Sequence, residues 1–227
     1  MTTTAQVRKL VKPLLERNPD LALVGRSIFV KPVHHFARTI LIDRRGDPDI
    51  LNPELVVIHV FELRRRFSID WSRFIPNETS SRPGLWFITE PNVQENLLAA
   101  FGKHALPLLR AMRTLDDYLN FVSNHHMRHQ LFDWAPQRFI LEIALGNLAA
   151  ARRILHESRV QWSADHPDWD EESREFYAEL RRMCACLDAG DRQGMAALLH
   201  AWEARTVRNL KIEYLWEPTP FPLELAH

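Results

Sequence analysis

Apolar residues recur every three to four positions over residues 5–17, where Val7, Leu10, Val11, Leu14 and Leu15 share one face and Lys and Arg residues fill the other. This spacing predicts a first helix, ended by Asn18-Pro19-Asp20. The pattern then changes to short runs of β-branched and aromatic residues between breakers. Leu21 to Val24 and Ile28 to Val30 flank Gly25 and predict a hairpin. Phe36 to Ile42 and Leu55 to Leu63 predict the strongest strands, with Phe67 to Trp71 and Leu85 to Thr89 as two more. Leu55-Val56-Val57-Ile58-His59-Val60-Phe61 is apolar on both faces, the mark of a central strand covered on each side. Residues 43–48 read as a polar turn and residues 76–84 as a surface loop. Breakers this close together predict antiparallel connections, because a parallel crossover needs roughly a dozen residues.

From Pro91 onward the period is helical. Asn92 to Phe101 predicts one helix, with Asn92 as its cap, and Ala105 to Met112 a short successor broken by Pro107. Thr114 followed by Leu115-Asp116-Asp117 has the form of a capping box, and Pro136 suits a first helical turn. A local echo then appears. Ala144-Leu145-Gly146-Asn147, followed by Ile154-Leu155-His156, is matched 44 residues on by Asp188-Ala189-Gly190-Asp191, followed by Leu198-Leu199-His200. Gly146 and Gly190 suit the left-handed position just past a helix, and Asn147 and Asp191 the cap of the returning one. Each copy predicts a helical hairpin. Two are too few for a solenoid of about three or more stacked repeats; convergent turn chemistry is the favoured reading and true duplication the alternative.

Composition keeps the protein ordinary: 46% hydrophobic and 26% charged residues describe a globular chain long enough to bury a core without staples. Formal net charge is zero, so no global field draws it to nucleic acid or anionic lipid. Residues 1–90 carry 14 Lys/Arg against 10 Asp/Glu, and residues 91–227 carry 15 against 19, an asymmetry that favours docking of the two parts. Cys184 and Cys186 point about 200° apart on a helix and so cannot pair while it is intact. With no signal peptide and no apolar run long enough to span a bilayer, the expectation is a cytoplasmic protein.

Candidate chemistry is sparse. Among the eleven histidines, His125, His126 and His129 cluster near a helix end. His125, His129 and Asp133 share one helical face at one-turn spacing, a geometry that metal-binding helices use. The macrodipole alone also places cations there. His34 and His35 point to opposite faces of a strand, and His59 predicts a neutral, hydrogen-bonded core histidine. Asp47, Asp49, Glu62 and Arg64 resemble a two-metal nuclease only in outline, since Arg stands where a neutralisable Lys is needed and strand-end charges are ordinarily solvated. Arg64-Arg65-Arg66, with Arg44 and Arg45, is the only basic run and reads as a solvated strand edge. The acidic stretch from Asp165 to Glu172 reads as a helix start. Seven glycines and no G-x-S-x-G leave no phosphate-cradling loop or serine elbow.

Val7-Arg8-Lys9-Leu10-Val11-Lys12-Pro13-Leu14-Leu15, Phe36-Ala37-Arg38-Thr39-Ile40-Leu41-Ile42 and Leu198-Leu199-His200-Ala201-Trp202-Glu203-Ala204-Arg205-Thr206 give the chain a layout that resembles an uncharacterised bacterial domain-of-unknown-function family. The resemblance implies an N-terminal helix, a β-meander and then helices. It carries no catalytic residues.

The expected architecture is therefore α+β: an N-terminal helix and a mostly antiparallel sheet over residues 1–90, then a helical part with hairpins over 91–227. The two are expected to dock as one unit, with an extended Pro-rich tail at 218–227. The expected function is a non-catalytic binding module, regulatory or immunity-type, whose partner is another protein. Trp71, Trp86, Trp134, Trp162 and Trp169 are read as exposed hot-spot aromatics, with core filler as the equal alternative for seven tryptophans in 227 residues. No cofactor is expected. A cleft between sheet and helices, lined by Arg38, Arg64, His125, His126 and His129, is the expected binding site. The alternative is a hydrolase using His125, His129 and Asp133, with or without a metal.

Overall fold

The computed structural model describes residues 3–44, 47, 49–63, 69–79, 84–124, 134–163 and 168–225. It has the expected α+β architecture: a helix, an antiparallel sheet, then helices. Two compact units emerge. The first comprises Met1–Ile58, Ile69–Phe121 and Tyr214–Glu217, and the second His59–Ser68, Val122–Glu213 and Pro218–His227. The change of pattern near residue 90 thus lies inside the first unit, which takes the early helices as well as the sheet.

In the first unit, α1 (Thr4–Arg17) opens on a capping box in which Thr3 and Gln6 satisfy each other's backbone N–H groups. Val7, Leu10, Val11 and Leu14 are its buried stripe. Pro13 lies inside the helix and cannot donate to Lys9. Gln94 supplies the missing donor: its Nε2 sits 3.0 Å from the Lys9 carbonyl and 2.8 Å from that of Leu10.

The sheet runs β1 (Leu21–Val24), β2 (Ser27–Val30), β3 (Phe36–Arg44), β4 (Ile50–His59), β5 (Trp71–Phe74) in that order, with β6 (Trp86–Phe87) also on β4. Leu21 pairs with Val30, Phe29 with Thr39, Val57 with Trp71 and Leu51 with Trp86, all antiparallel. Leu55, Val56, Val57 and Ile58 are buried, as a strand covered on both faces requires. The expected strand Leu55 to Leu63 is corrected at both ends, starting at Ile50 and stopping at His59. Its early start includes Pro53, which can accept from Ile75 N (2.9 Å) but cannot donate back. The indole N–H of Trp86 takes that place, 2.8 Å from the Ile75 carbonyl. Trp86 is thereby core, as are Trp71, edge-on to Phe121 at 4.7 Å, and, in the second unit, Trp162, edge-on to Phe139 at 5.2 Å. The expectation that these three are exposed is wrong, because each ring finds an aromatic or carbonyl partner inside.

Helix α2 (Val93–Ala100) starts at Asn92, which adopts a left-handed conformation and makes no side-chain cap. A π-helical turn, Phe101–Ala105, leads into α3 (Leu106–Ala111). Pro107 in the first turn of α3 explains the widening, since its ring displaces the usual i−4 carbonyl and Leu106 N reaches back to Phe101 O instead. Helix α4 (Leu115–Asn124) has the expected cap. Asp117 N donates to Thr114 Oγ1 (3.1 Å), while Asp117 Oδ2 accepts from the backbone of Arg113 and Thr114 (both 2.9 Å).

In the second unit, α5 (Ala135–Ala144) and α6 (Leu148–Ser163) form one hairpin, α7 (Glu171–Ala189) and α8 (Arg192–Asn209) another. Both turns close the same way. Gly146 N bonds Ile143 O and Asn147 N bonds Glu142 O; Gly190 N bonds Leu187 O and Asp191 N bonds Cys186 O. These are Schellman turns, with the glycines at φ +78° and +68°. Asp191 caps α8 through Gly194 N (2.8 Å), as expected. Asn147 instead donates its Nδ2–H to Glu142 Oε2 of the preceding helix at 2.9 Å. Asp170 caps α7, with Glu171 and Glu172 in its first turn, as the macrodipole favours. The tail expectation also needs correction. Pro222–Leu225 is a short helix, α9, begun by a proline whose absent N–H is not needed there. Phe221 and Leu223 are fully buried, and Arg192 Nη2 donates to Leu223 O (2.7 Å).

Two outcomes follow for stability. Gly146→Ala and Gly190→Ala each force a left-handed alanine at about 1–2 kcal/mol. A Cβ at Gly190 meets nothing within 4 Å, whereas at Gly146 it meets the Leu223 backbone at 3.3 Å. Urea denaturation should therefore rank Gly146→Ala as the more destabilising, and equal losses would contradict the seating of α9. Asp117 is held below the usual carboxylate range, chiefly by the Arg113 backbone N–H, then by Thr114 and the Arg113 charge. A depressed carboxyl contributes stability above its unfolded value and loses it as pH falls through the folded one. Asp117→Asn should cost about 1 kcal/mol at neutral pH, with the gap to the parent closing below roughly pH 4. A gap independent of pH would rule out the charged cap.

Candidate functional site

The connection from β2 to β3 turns through Lys31-Pro32-Val33-His34-His35, with a cis peptide before Pro32. Backbone bonds hold it from two sides. Lys31 N donates to Asp20 O (2.8 Å), and Val33 pairs in parallel with Trp216 through Val33 N to Leu215 O (2.8 Å) and Glu217 N to Val33 O (2.9 Å). His34 Nδ1 lies 2.8 Å from the Glu217 carbonyl. A carbonyl only accepts, so Nδ1 carries the proton and Nε2 is the ring atom left to meet anything else.

Arg38, only 6% exposed, reaches from β3 to this turn and to the end of α3. Its Nη1 donates to Met112 O (2.8 Å) and Leu109 O (3.4 Å), and its Nη2 to Pro32 O (2.7 Å). These bonds satisfy carbonyls that a helix end leaves orphaned and place a cation at the negative end of the α3 dipole. They use three of its five N–H donors and give it no carboxylate. Burial pulls the guanidinium below its ordinary range, the neighbouring Arg113 charge adds to that, and Asp20 opposes it. Arginine does not deprotonate in proteins, so the direction measures how poorly the charge is compensated.

Around Arg38 lies a cleft of about 410 Å³ lined by Asp20, Val30, Lys31, Pro32, His34, Arg38, Arg110 and Arg113. Its one carboxylate is committed. Asp20 receives Arg110 in a two-pronged pair, Nε to Oδ2 at 2.8 Å and Nη2 to Oδ1 at 2.9 Å, while Arg110 Nη2 also bonds Asn18 Oδ1 at 2.7 Å. Lys31 and Arg113 are exposed, and Asp117, an acid that feels the Arg113 charge, is engaged by backbone N–H groups. The cleft therefore has an excess of positive charge with one cation fixed at its base. A larger groove of about 620 Å³ runs along Pro13, Gln94, Leu98 and Pro107. Within it Gln94 is spent on α1 and Arg110 on Asp20.

Of the residues expected to bind, Arg38 lies in this cleft. Arg64, His125, His126, His129 and Asp133 lie outside the described residues, as do Arg45, Arg65 and Arg66. Sequence reading missed Lys31, Arg110 and Arg113, whose only signal is that Arg110 and Arg113 stand three apart at the end of one helix. In the second unit, His59 is a core histidine with Nδ1 3.0 Å from Glu62 Oε1. Glu62, expected to be solvated, is buried, and its carbonyl accepts from Thr206 Oγ1 at 2.6 Å. Trp134 is 45% exposed and stacks on Phe176 at 5.0 Å, and Trp169 stacks on Tyr177 at 4.2 Å.

Both cysteine thiols are biased toward the protonated, less reactive form. Burial, reinforced by Asp188, pushes the Cys184 thiol up to about 12, and burial with Asp191 raises Cys186. The fall in thiolate, partly offset by greater intrinsic nucleophilicity, should make Cys184 alkylate roughly fiftyfold more slowly than a free thiol. Mass-spectrometric labelling with iodoacetamide at mildly alkaline pH reads this directly, and equal rates would refute the buried setting.

Comparison finds no protein-family model, no curated protein and no solved structure that matches the chain.

Proposed function

We propose that the protein is a non-catalytic binding module and that the Arg38 cleft of its first unit holds an anionic group of the ligand. One observation carries this reading. Arg38 is a buried guanidinium with backbone carbonyls but no carboxylate for partners, at the base of a cleft whose other cations outnumber its single, already paired acid. A buried charge is costly unless neutralised, so an incoming anion gains from the field and relieves it. The cleft's groups are suited to holding charge: Asp20 is neutralised by Arg110, and Arg38 cannot give up a proton. The half-exposed Trp134 and its stack on Phe176 support a further, regulatory or immunity-type role in contact with another protein.

Amide NMR during titration with acetate, sulfate and phosphate, at fixed ionic strength, tests the cleft. Saturable shifts should gather at Lys31–Arg38 and Arg110–Arg113. In the Lys31→Ala/Arg113→Ala protein, whose altered side chains are both exposed, they should weaken by about a hundredfold, the loss of two charge-assisted contacts. If no anion of the series gives a saturable response there, the reading is wrong.

A further inference from the structure

We infer that the anion this cleft selects is the phosphate of a small, soluble phosphate monoester. The inference rests on the reading of the cleft as an anion site and narrows it to one chemical class. Once Arg110 and Asp20 are paired, three cations remain on the cleft wall: Lys31, Arg38 and Arg113. Asp117 offsets part of the Arg113 charge from outside the lining. What is left lies between two and three positive charges, of which a carboxylate neutralises only one. A phosphate monoester carries about −1.5 to −2 at neutral pH and offers three terminal oxygens, one for each cation.

Donor geometry agrees with this. Arg38 has spent both hydrogens of Nη1 and one of Nη2 on carbonyls, so it meets the ligand as a fixed cation with two N–H donors to spare. Arg113 and Lys31 are exposed and free to close over an oxygen from the mouth. Among the described residues neither forms an ion pair. The remainder of the cleft fits a modest organic group. Its 410 Å³ lies toward the small end of ligand sites. Val30 and Pro32 give an apolar wall, and His34, its Nδ1 proton committed to Glu217 O, turns Nε2 to a ligand hydroxyl.

Isothermal titration with glycerol 3-phosphate, inorganic phosphate and acetate at fixed ionic strength is the test, on the full chain and on its Arg113→Ala and Arg38→Lys variants. Glycerol 3-phosphate should bind about tenfold or more tightly than acetate, and Arg113→Ala should weaken it about tenfold. Arg38→Lys keeps a charge but loses the planar fork. It should weaken binding too, with circular dichroism confirming that the fold is retained. Acetate binding as tightly as the phosphates, and still sensitive to Arg113→Ala, would overturn the phosphate assignment while leaving the anion cleft intact. Phosphate binding that ignores Arg113→Ala would put the site elsewhere and overturn the inference. No saturable binding by any of the three would remove both readings.

Discussion

The side chain on which the first unit most depends is Arg38. Its guanidinium is the common partner of three carbonyls that no regular element satisfies: Pro32 in the β2–β3 turn, and Leu109 and Met112 at the end of α3. Removing it would leave buried acceptors without donors, at about 1–3 kcal/mol each. The same contacts fix the floor of the basic cleft. A residue that serves the fold by bonding carbonyls rather than a carboxylate keeps its full charge, and that retained charge gives the cleft its chemistry.

Proline sets a parallel constraint. Pro13, Pro53 and Pro107 each delete a backbone donor that the surrounding element would otherwise use. Pro13 is answered by Gln94 from another helix, Pro53 by the indole of Trp86, and Pro107 by a change of helical period. In the first two cases a distant side chain completes what the local backbone cannot. These side chains are therefore determinants of packing angle as well as filler: Gln94 ties α2 to α1, and Trp86 ties β6 to the end of β5.

This explains which features were legible in the sequence. Periodicity gave α1 and the β1–β2 hairpin almost to the residue, because their apolar stripes and turn glycine are local signals. The cap at Thr114 and the turns at Gly146 and Gly190 were legible for the same reason. What failed depended on partners far along the chain. Trp86 looked exposed because the carbonyl it satisfies belongs to Ile75, and that carbonyl needs a donor only because Pro53 pairs opposite it. Glu62 looked like a solvated strand end, but it is buried beside His59. Arg38 could be named as a charged residue on a strand. Arg110, Arg113 and Lys31 could not be placed with it, since their meeting is set by contacts between distant segments: Arg38 to the carbonyls of Pro32, Leu109 and Met112, and Arg110 to Asp20.

The helical echo shows how far local physics reaches. Both hairpins turn through the same pair of backbone bonds, which require a residue at positive φ, and both place glycine there. One step later they diverge. Asp191 bends its carboxylate back to Gly194 N, while Asn147 gives its amide to Glu142 of the preceding helix. The residues are most alike where the backbone dictates them, and the capping partners differ where the side chain is free to choose. Gly146 carries a second demand that Gly190 does not, the close passage of Leu223. Two glycines that look equivalent in sequence thus answer to different constraints: both close the same turn, but only Gly146 must also let Leu223 pass.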